Sequence, residues 1–319
     1  MQKRFAFAAF IAVGCRVGAA TIWIDTDVSI GSPIREVDDA FALVVAFHSP
    51  EIHIAGISTT YGNAPLAYTT RKAQFLVQNF GRPAGLTVAQ VFPGAESARD
   101  LGRGTSASEA FARELRKQNV TYVALGPLTN LATFLQLHPE MTKRIERVIF
   151  VGGKERGDNL GLGPNHSFRI HDANVFKDPA AVKVVLRSSI PIFLTPIRTS
   201  AGLMIDGEDR RGLRQDGPAA TYLSHHSTAW LWFWRHVAGT NGGPIFDALA
   251  IISVTRPELI SVKRRYAQLD RSGDLVVSSS LTNGRLVRYY DSFDPKAKAF
   301  VLGRLTAPRW KDESAPPVR

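Results

Sequence analysis

Thr21-Ile22-Trp23-Ile24-Asp25-Thr26-Asp27 and, after a ten-residue connection from Val28 to Val37, Asp38-Asp39-Ala40-Phe41-Ala42-Leu43 decide the fold. The first run is rich in β-branched and aromatic residues and stops at an Asp-Thr-Asp turn, which predicts a strand. The second begins with two acids, which suit the positive end of a helix dipole, and predicts a helix from Asp38 to His48. Working outward, the alternation continues. Strands are expected at Ile52–Ser58, Thr121–Leu125, Arg147–Val151 and Ile190–Thr195, and helices at Leu66–Phe80, Ser106–Gln118, Leu128–Leu137 and within Ala173–Arg187. Strand and helix alternating at this spacing predict βαβ units: an α/β fold with a doubly wound, mostly parallel open sheet. No linker divides it, so a single domain is expected over residues 21–310. Such sheets bind ligands at the carboxyl ends of their strands. Asp25, Asp27, Asn63, the Gly126 turn and the segment after Gly153 all collect there.

The chain carries a net charge of +11. Its basic residues are scattered, and Lys263-Arg264-Arg265 is the longest block, so a nucleic-acid partner is not expected. Lys3 and Arg4 precede an apolar run from Phe5 to Val13, too short to span a bilayer, and Gly18 and Ala20 supply small residues before Thr21. Residues 1–20 are therefore expected to be a signal peptide, placing the protein in the periplasm or outside the cell, with no integral membrane span. Val13-Gly14-Cys15 offers lipid attachment as the alternative. Cys15 is the sole cysteine, so the mature chain has no thiol for a disulfide or a Cys-based metal site. The polar, Pro-rich end, residues 311–319, is expected to be a flexible tail.

Asp25, Asp27, Asp38 and Asp39 place four carboxylates at a strand end and the start of the next helix. Packed together without a cation they would repel, and some would have to take up protons. A hard divalent ion removes the conflict, and oxygen ligands without Cys or a His pair suit Ca²⁺ or Mg²⁺. A solvated acidic turn with a helix cap explains the same four residues equally well.

Further segments tip that balance. Ile57-Ser58-Thr59-Thr60-Tyr61-Gly62-Asn63, Ala124-Leu125-Gly126-Pro127-Leu128-Thr129-Asn130-Leu131-Ala132, Asp172-Ala173-Asn174 with Asp178-Pro179-Ala180-Ala181, and Phe246-Asp247-Ala248-Leu249-Ala250 follow in order. With the Asp-x-Asp and Asp-Asp-Ala segments, this series resembles the inosine-uridine preferring nucleoside hydrolase family, the nucleoside N-ribohydrolases, from residue 21 to about residue 255.

That resemblance implies a Rossmann-like nucleoside hydrolase fold. It implies an enzyme that cleaves the N-glycosidic bond of ribonucleosides, releasing ribose and free base, with Ca²⁺ as cofactor. Asp27, Asp39, Asp247 and the backbone carbonyl of Leu125 would hold the ion, and Asp27 would also be the general base. Asp38, Asn63, Asp172 and Asn174 would bind ribose hydroxyls. A homo-oligomer, dimer or tetramer, would be expected. Cleavage builds oxocarbenium character in the sugar, so hydroxyl contacts that tighten as the ring flattens favour the transition state.

The chain departs from the family's pattern in places. The family usually has three residues between the positions of Asp27 and Asp38, and here there are ten. The extra residues are expected to bulge outward and leave the carboxylates in place, as a solvated loop unless Arg35 or Glu36 reaches substrate; reshaping of the pocket floor is the alternative. Phe246 stands where one branch of the family has His and another a stacking aromatic; it offers a π-face and no proton, which leans toward purine nucleosides, unless it only packs in the core. Asp172 replaces a longer Glu, and Asn165 stands close to the place of another ribose-contacting Asn. Trp230, Trp232, Phe233, Trp234 and His236 form an aromatic cluster, expected in the core or a subunit interface unless it covers the base; His225 and His226 are expected on the surface. The rival from another class is a periplasmic protein that binds nucleoside or ribose with calcium but has lost turnover.

Overall fold

The structure is a computed structural model that describes residues 19–32 and 35–306. Most of the expected leader, including Cys15, and the expected tail lie outside the described residues.

Strand β1 (Ala20–Thr26) runs between β2 (Ile52–Thr59) and β4 (Val120–Ala124), parallel to both. The short β3 (Val91–Pro93) adds outside β2, and β5 (Ile145–Val151) outside β4. Beyond β5 come Ile192–Thr195, Arg285–Phe293, Ile260–Leu269, Leu275–Ser278 and Lys154–Glu155, completing a ten-stranded sheet. Pairing is parallel from β3 through Arg285–Phe293, and the antiparallel neighbours lie only among the C-terminal strands. This is the doubly wound, mostly parallel sheet expected from the sequence.

Helices cover both faces. On one, α1 (Asp38–Phe47) is buried along its whole length, as its apolar sequence requires. It packs against α2 (Leu66–Phe80), Ala248–Thr255 and Lys296–Leu305. On the other lie α3 (Ser106–Lys117), α4 (Thr129–Leu137) and Pro179–Arg187. The helix expected within Ala173–Arg187 is two helices, because Pro179 has no N–H to continue the first and Asp178 caps the second, its Oδ1 accepting from Ala181 N at 2.9 Å.

The chain moves from β1 outward through β2 and β3, then returns to the other side of β1 for β4 and β5. The order therefore reverses at β1, and a crevice opens outside the carboxyl ends of β1 and β4. Asp27 leaves β1 there, Asn63 follows β2, Leu125 follows β4 and Val151 ends β5.

Candidate active site

Asp38, Asn63, Leu125, Asn174, Phe246 and Asp247 line one cleft in that crevice, together with Glu36, Val151, Ile170, His171, Ala173, Ile197 and Trp234. One end is acidic and the other apolar and aromatic.

At the acidic end, carboxylate oxygens of Asp38, Asp39 and Asp247 lie within 4.8 Å of one another. Asp38 and Asp39 arrive on the first turn of α1, and Asp247 immediately precedes Ala248–Thr255. None of the three is more than 5% exposed. Burial, followed by the charges of Asp38, Asp39 and Asp27, holds the Asp247 carboxyl well above the usual carboxylate range. Burial and the neighbouring Glu36, Asp39 and Asp27 do the same to Asp38. Asp39 is also raised by burial, against hydrogen bonds from the Thr26 hydroxyl, the Asp27 N–H and the Asn63 amide. Asp38 Oδ1 is buried and has no hydrogen-bond partner. Converging acids with an unpartnered oxygen make a poor apo site and a suitable donor set for a hard divalent ion.

Asp27 stands beside this trio. Its Oδ2 accepts from Asn63 N at 2.8 Å and its Oδ1 from Asn63 Nδ2 at 3.3 Å, while the same Nδ2 reaches Asp39 Oδ2 at 3.2 Å. Asn63 thus ties the two acids together. Gly62 permits this approach, because a Cβ there would stand 1.7 Å from Asp27 Oδ2. Burial and then Asp39 raise the Asp27 carboxyl. The Leu125 carbonyl accepts from Asn174 Nδ2 at 2.7 Å, and that amide also donates to the Val151 carbonyl at 3.0 Å. The trio whose oxygens converge therefore contains Asp38 where the expected ion-binding set has Asp27, whose oxygens are already matched by Asn63.

Asp172 and Asn165 are not on the cleft wall. Asp172 is buried, with Oδ2 accepting from Gly153 N at 2.5 Å and Oδ1 from Val175 N at 3.3 Å, so its shorter side chain caps a helix and pins the end of β5. Burial raises its carboxyl to about 6, against those two N–H groups. Asn165 sits exposed with φ 55°, in the left-handed turn conformation that asparagine tolerates. His236 is exposed against Trp232, 5.4 Å between ring centroids, and does not line the cleft. Nor do His225, which is exposed, or His226, which is partly buried.

Phe246 and Trp234 form the aromatic end, edge to face at 6.1 Å. Phe246 therefore packs and lines the cleft at once. Two polar lining residues went unread or were set aside. His171 carried no signal beyond standing next to Asp172. Glu36 was expected in a solvated loop, but it lines the cleft, and Val28, Ser29 and Ile30 are wholly buried. The two ends of the connection turn inward, because Val28, Ile30 and Val37 enter the core while Asp38 and Asp39 stay together.

The fold is that of nucleoside hydrolases: a plant nucleoside hydrolase superposes with a TM-score of 0.77 at 22% identity, covering 91% of this chain and 99% of that one. The purine-preferring ribonucleoside hydrolase from Gardnerella vaginalis gives 0.75 at 20% identity, covering 90% and 98%. In sequence, the pyrimidine-specific ribonucleoside hydrolase RihA of Citrobacter koseri is 29% identical over 83% of this chain and 89% of its own. The model of the inosine-uridine preferring nucleoside hydrolases matches residues 22–312. The chain belongs to that family and is a nucleoside hydrolase.

Proposed function

We propose that this chain hydrolyses ribonucleosides to ribose and free base in the β1/β4 crevice, with Ca²⁺ as its cofactor and purine nucleosides as the preferred substrates. The observation that carries this is the pairing of a buried, under-satisfied acid cluster with an aromatic wall in one cleft.

Asp39 and Asp247, with Asp27 and the Leu125 carbonyl, would hold the ion, and the Asp38 carboxylate converges with those of Asp39 and Asp247. A bound divalent ion there would neutralise the acids, acidify water and fix sugar hydroxyls. Asp27 takes the proton of the attacking water. Asn63, donating to Asp27 through both its backbone and side-chain N–H, holds that carboxylate in one orientation. The water oxygen bonds to the anomeric carbon as the C–N bond breaks, and the bonding pair leaves with the base, which takes up a proton from solvent while Asp27 returns the water's proton to solvent. Asp38, Asn63 and Asn174 contact ribose hydroxyls from the cleft wall. Asp172 supports this wall through Gly153 and Val175.

The relatives named above include both a pyrimidine-specific and a purine-preferring enzyme. The purine preference rests instead on Phe246 and Trp234, since a larger base buries more area against an aromatic wall. Incubation with inosine, adenosine and uridine and measurement of reducing sugar tests both parts. Ribose release, fastest from the purine nucleosides, is expected. Tight nucleoside binding without ribose release would replace the hydrolase with a binding protein.

We also propose export through residues 1–20 and assembly as a dimer or tetramer. N-terminal sequencing of the mature protein, expected to begin at Thr21, and light scattering test these. Among the described residues, no helix is long and apolar enough to cross a membrane.

A further inference from the structure

The two ends of the connection between β1 and α1 pack inward, with a chemical consequence. Ser29 Oγ donates to the Glu36 carbonyl at 2.9 Å, joining the two arms of the connection. The Glu36 side chain then enters the cleft wall, where its Oε2 accepts from Trp230 Nε1 at 2.7 Å. Trp230 cannot easily move. It is 2% exposed, stacks on Phe41 at 6.4 Å, and lies where a Cβ on Gly243 would come within 2.2 Å of its ring.

Trp234 follows one turn later on the same helix, Thr228–His236, so both indoles project from one face. The Trp234 N–H also points toward the Glu36 carboxylate and favours its charged form, but it falls short of hydrogen-bond geometry and has no other partner although it is buried. A buried donor without a partner costs free energy that a ligand can recover. Trp234 also abuts Phe246 at the aromatic end of the cleft. Glu36 and Trp234 therefore set a hydrogen-bond acceptor beside an unused donor, between Asp38 and the aromatic wall.

We propose that Glu36 and the Trp234 indole read the edge of the nucleobase: the carboxylate accepts from a base N–H or NH₂, and the indole donates to the adjacent carbonyl oxygen or ring nitrogen. The ligand class is a ribonucleoside whose base carries a donor next to an acceptor. Trp230 is a positioning residue, holding the second carboxylate oxygen. This rests on the nucleoside hydrolase reading of the cleft and adds to it the group that selects the leaving base. Sites built to hydrogen-bond a substrate discriminate strongly against analogues lacking the matching group.

The test compares inosine with p-nitrophenyl β-D-ribofuranoside, whose leaving group has no such edge. In Glu36→Ala, the ratio of kcat/KM for inosine to that for the nitrophenyl riboside is expected to fall at least tenfold, mainly through KM for inosine. Trp234→Phe keeps the apolar ring and removes only the donor, and the ratio is expected to fall about fivefold. Glu36→Gln keeps one acceptor and is expected to fall between wild type and Glu36→Ala. If Glu36→Ala does not fold, Trp234→Phe and Glu36→Gln carry the test. A parallel loss on both substrates, or an unchanged ratio, overturns the proposal and leaves Glu36 as a fold element. Wild-type protein that releases no ribose from either substrate overturns the hydrolase reading instead, and this proposal falls with it.

Discussion

Asp25 and Asp39 are both wholly buried beside the end of β1, yet they live in opposite surroundings. Asp25 Oδ1 accepts from Ser58 Oγ at 2.6 Å and Asn130 Nδ2 at 2.8 Å, and Trp23 Nε1 donates to Ser58 Oγ at 2.8 Å. Asn130 goes on to serve Ala95 N and the Thr59 carbonyl. This network fastens β1, β2 and α4 together. Burial raises the Asp25 carboxyl to about 6, with Ser58 and Asn130 pulling it back. Asp39 instead converges with Asp38 and Asp247, two further acids. Both acids accept hydrogen bonds, Asp25 through Oδ1 only, with Oδ2 buried and unpartnered, and Asp39 from Thr26, Asp27 and Asn63. The difference is that the donors to Asp25 are neutral side chains that tie elements together, so it works as structure. Asp39 shares its space with like charge and leaves a place for a cation. Burial alone does not separate a functional carboxylate from a structural one; the neighbours do.

The contrast can be broken from either side. The largest effect is expected from Asp27→Asn, which keeps the shape but removes the base: kcat should fall on the order of 10³-fold while the melting temperature stays near that of wild type. Near-normal turnover would remove Asp27 from that role. Next comes metal removal. Chelation is expected to abolish activity and Ca²⁺ to restore it, and calcium at a hundred times its Kd should stabilise the fold by about 2.7 kcal/mol. Thermal melts with and without chelator measure this, and identical melts with full activity would contradict it.

A more pointed comparison follows in chelated protein. Asn130→Ala strips donors from Asp25 and leaves the Ala95 N–H unmatched, and it should cost about 2–3 kcal/mol in denaturant unfolding. Asp247→Asn removes like charge from the acid trio and should raise stability by about 1 kcal/mol under the same conditions. Two changes of the same sign would erase the distinction between the networks. The smallest effect is expected at Asp172→Ala, which loses a helix cap: about 1 kcal/mol of stability, read from the same unfolding curves.

Much of this was legible before any coordinates. The β-rich runs ending at Asp25-Thr26-Asp27, Gly62-Asn63, Gly126-Pro127 and Gly152-Gly153 marked the parallel strands and the edge where polar groups gather. The α1 sequence, acidic at its start, showed the helix and the place of Asp38 and Asp39. The strands from Ile260 to Phe293 were not legible, since half of Ile260–Leu269 is exposed and the strand gives no alternating pattern. The placement of Glu36 in the cleft, named only as the less expected alternative, was hidden for a different reason. Its burial depends on Trp230, far along the chain, and no local periodicity reports a contact at that separation. For Asp172 a motif position identifies the residue and not its partners: its oxygens accept from the backbone at Gly153 and Val175.

Calcium titration into exhaustively chelated protein, followed by calorimetry, reaches the core of the account most directly. The wild-type chain should take up a single ion, and Asp39→Asn, still folded, should take up none at the same concentrations. A wild-type protein that binds no calcium, or an Asp39→Asn variant that binds it undiminished, would contradict the cation site at the end of β1.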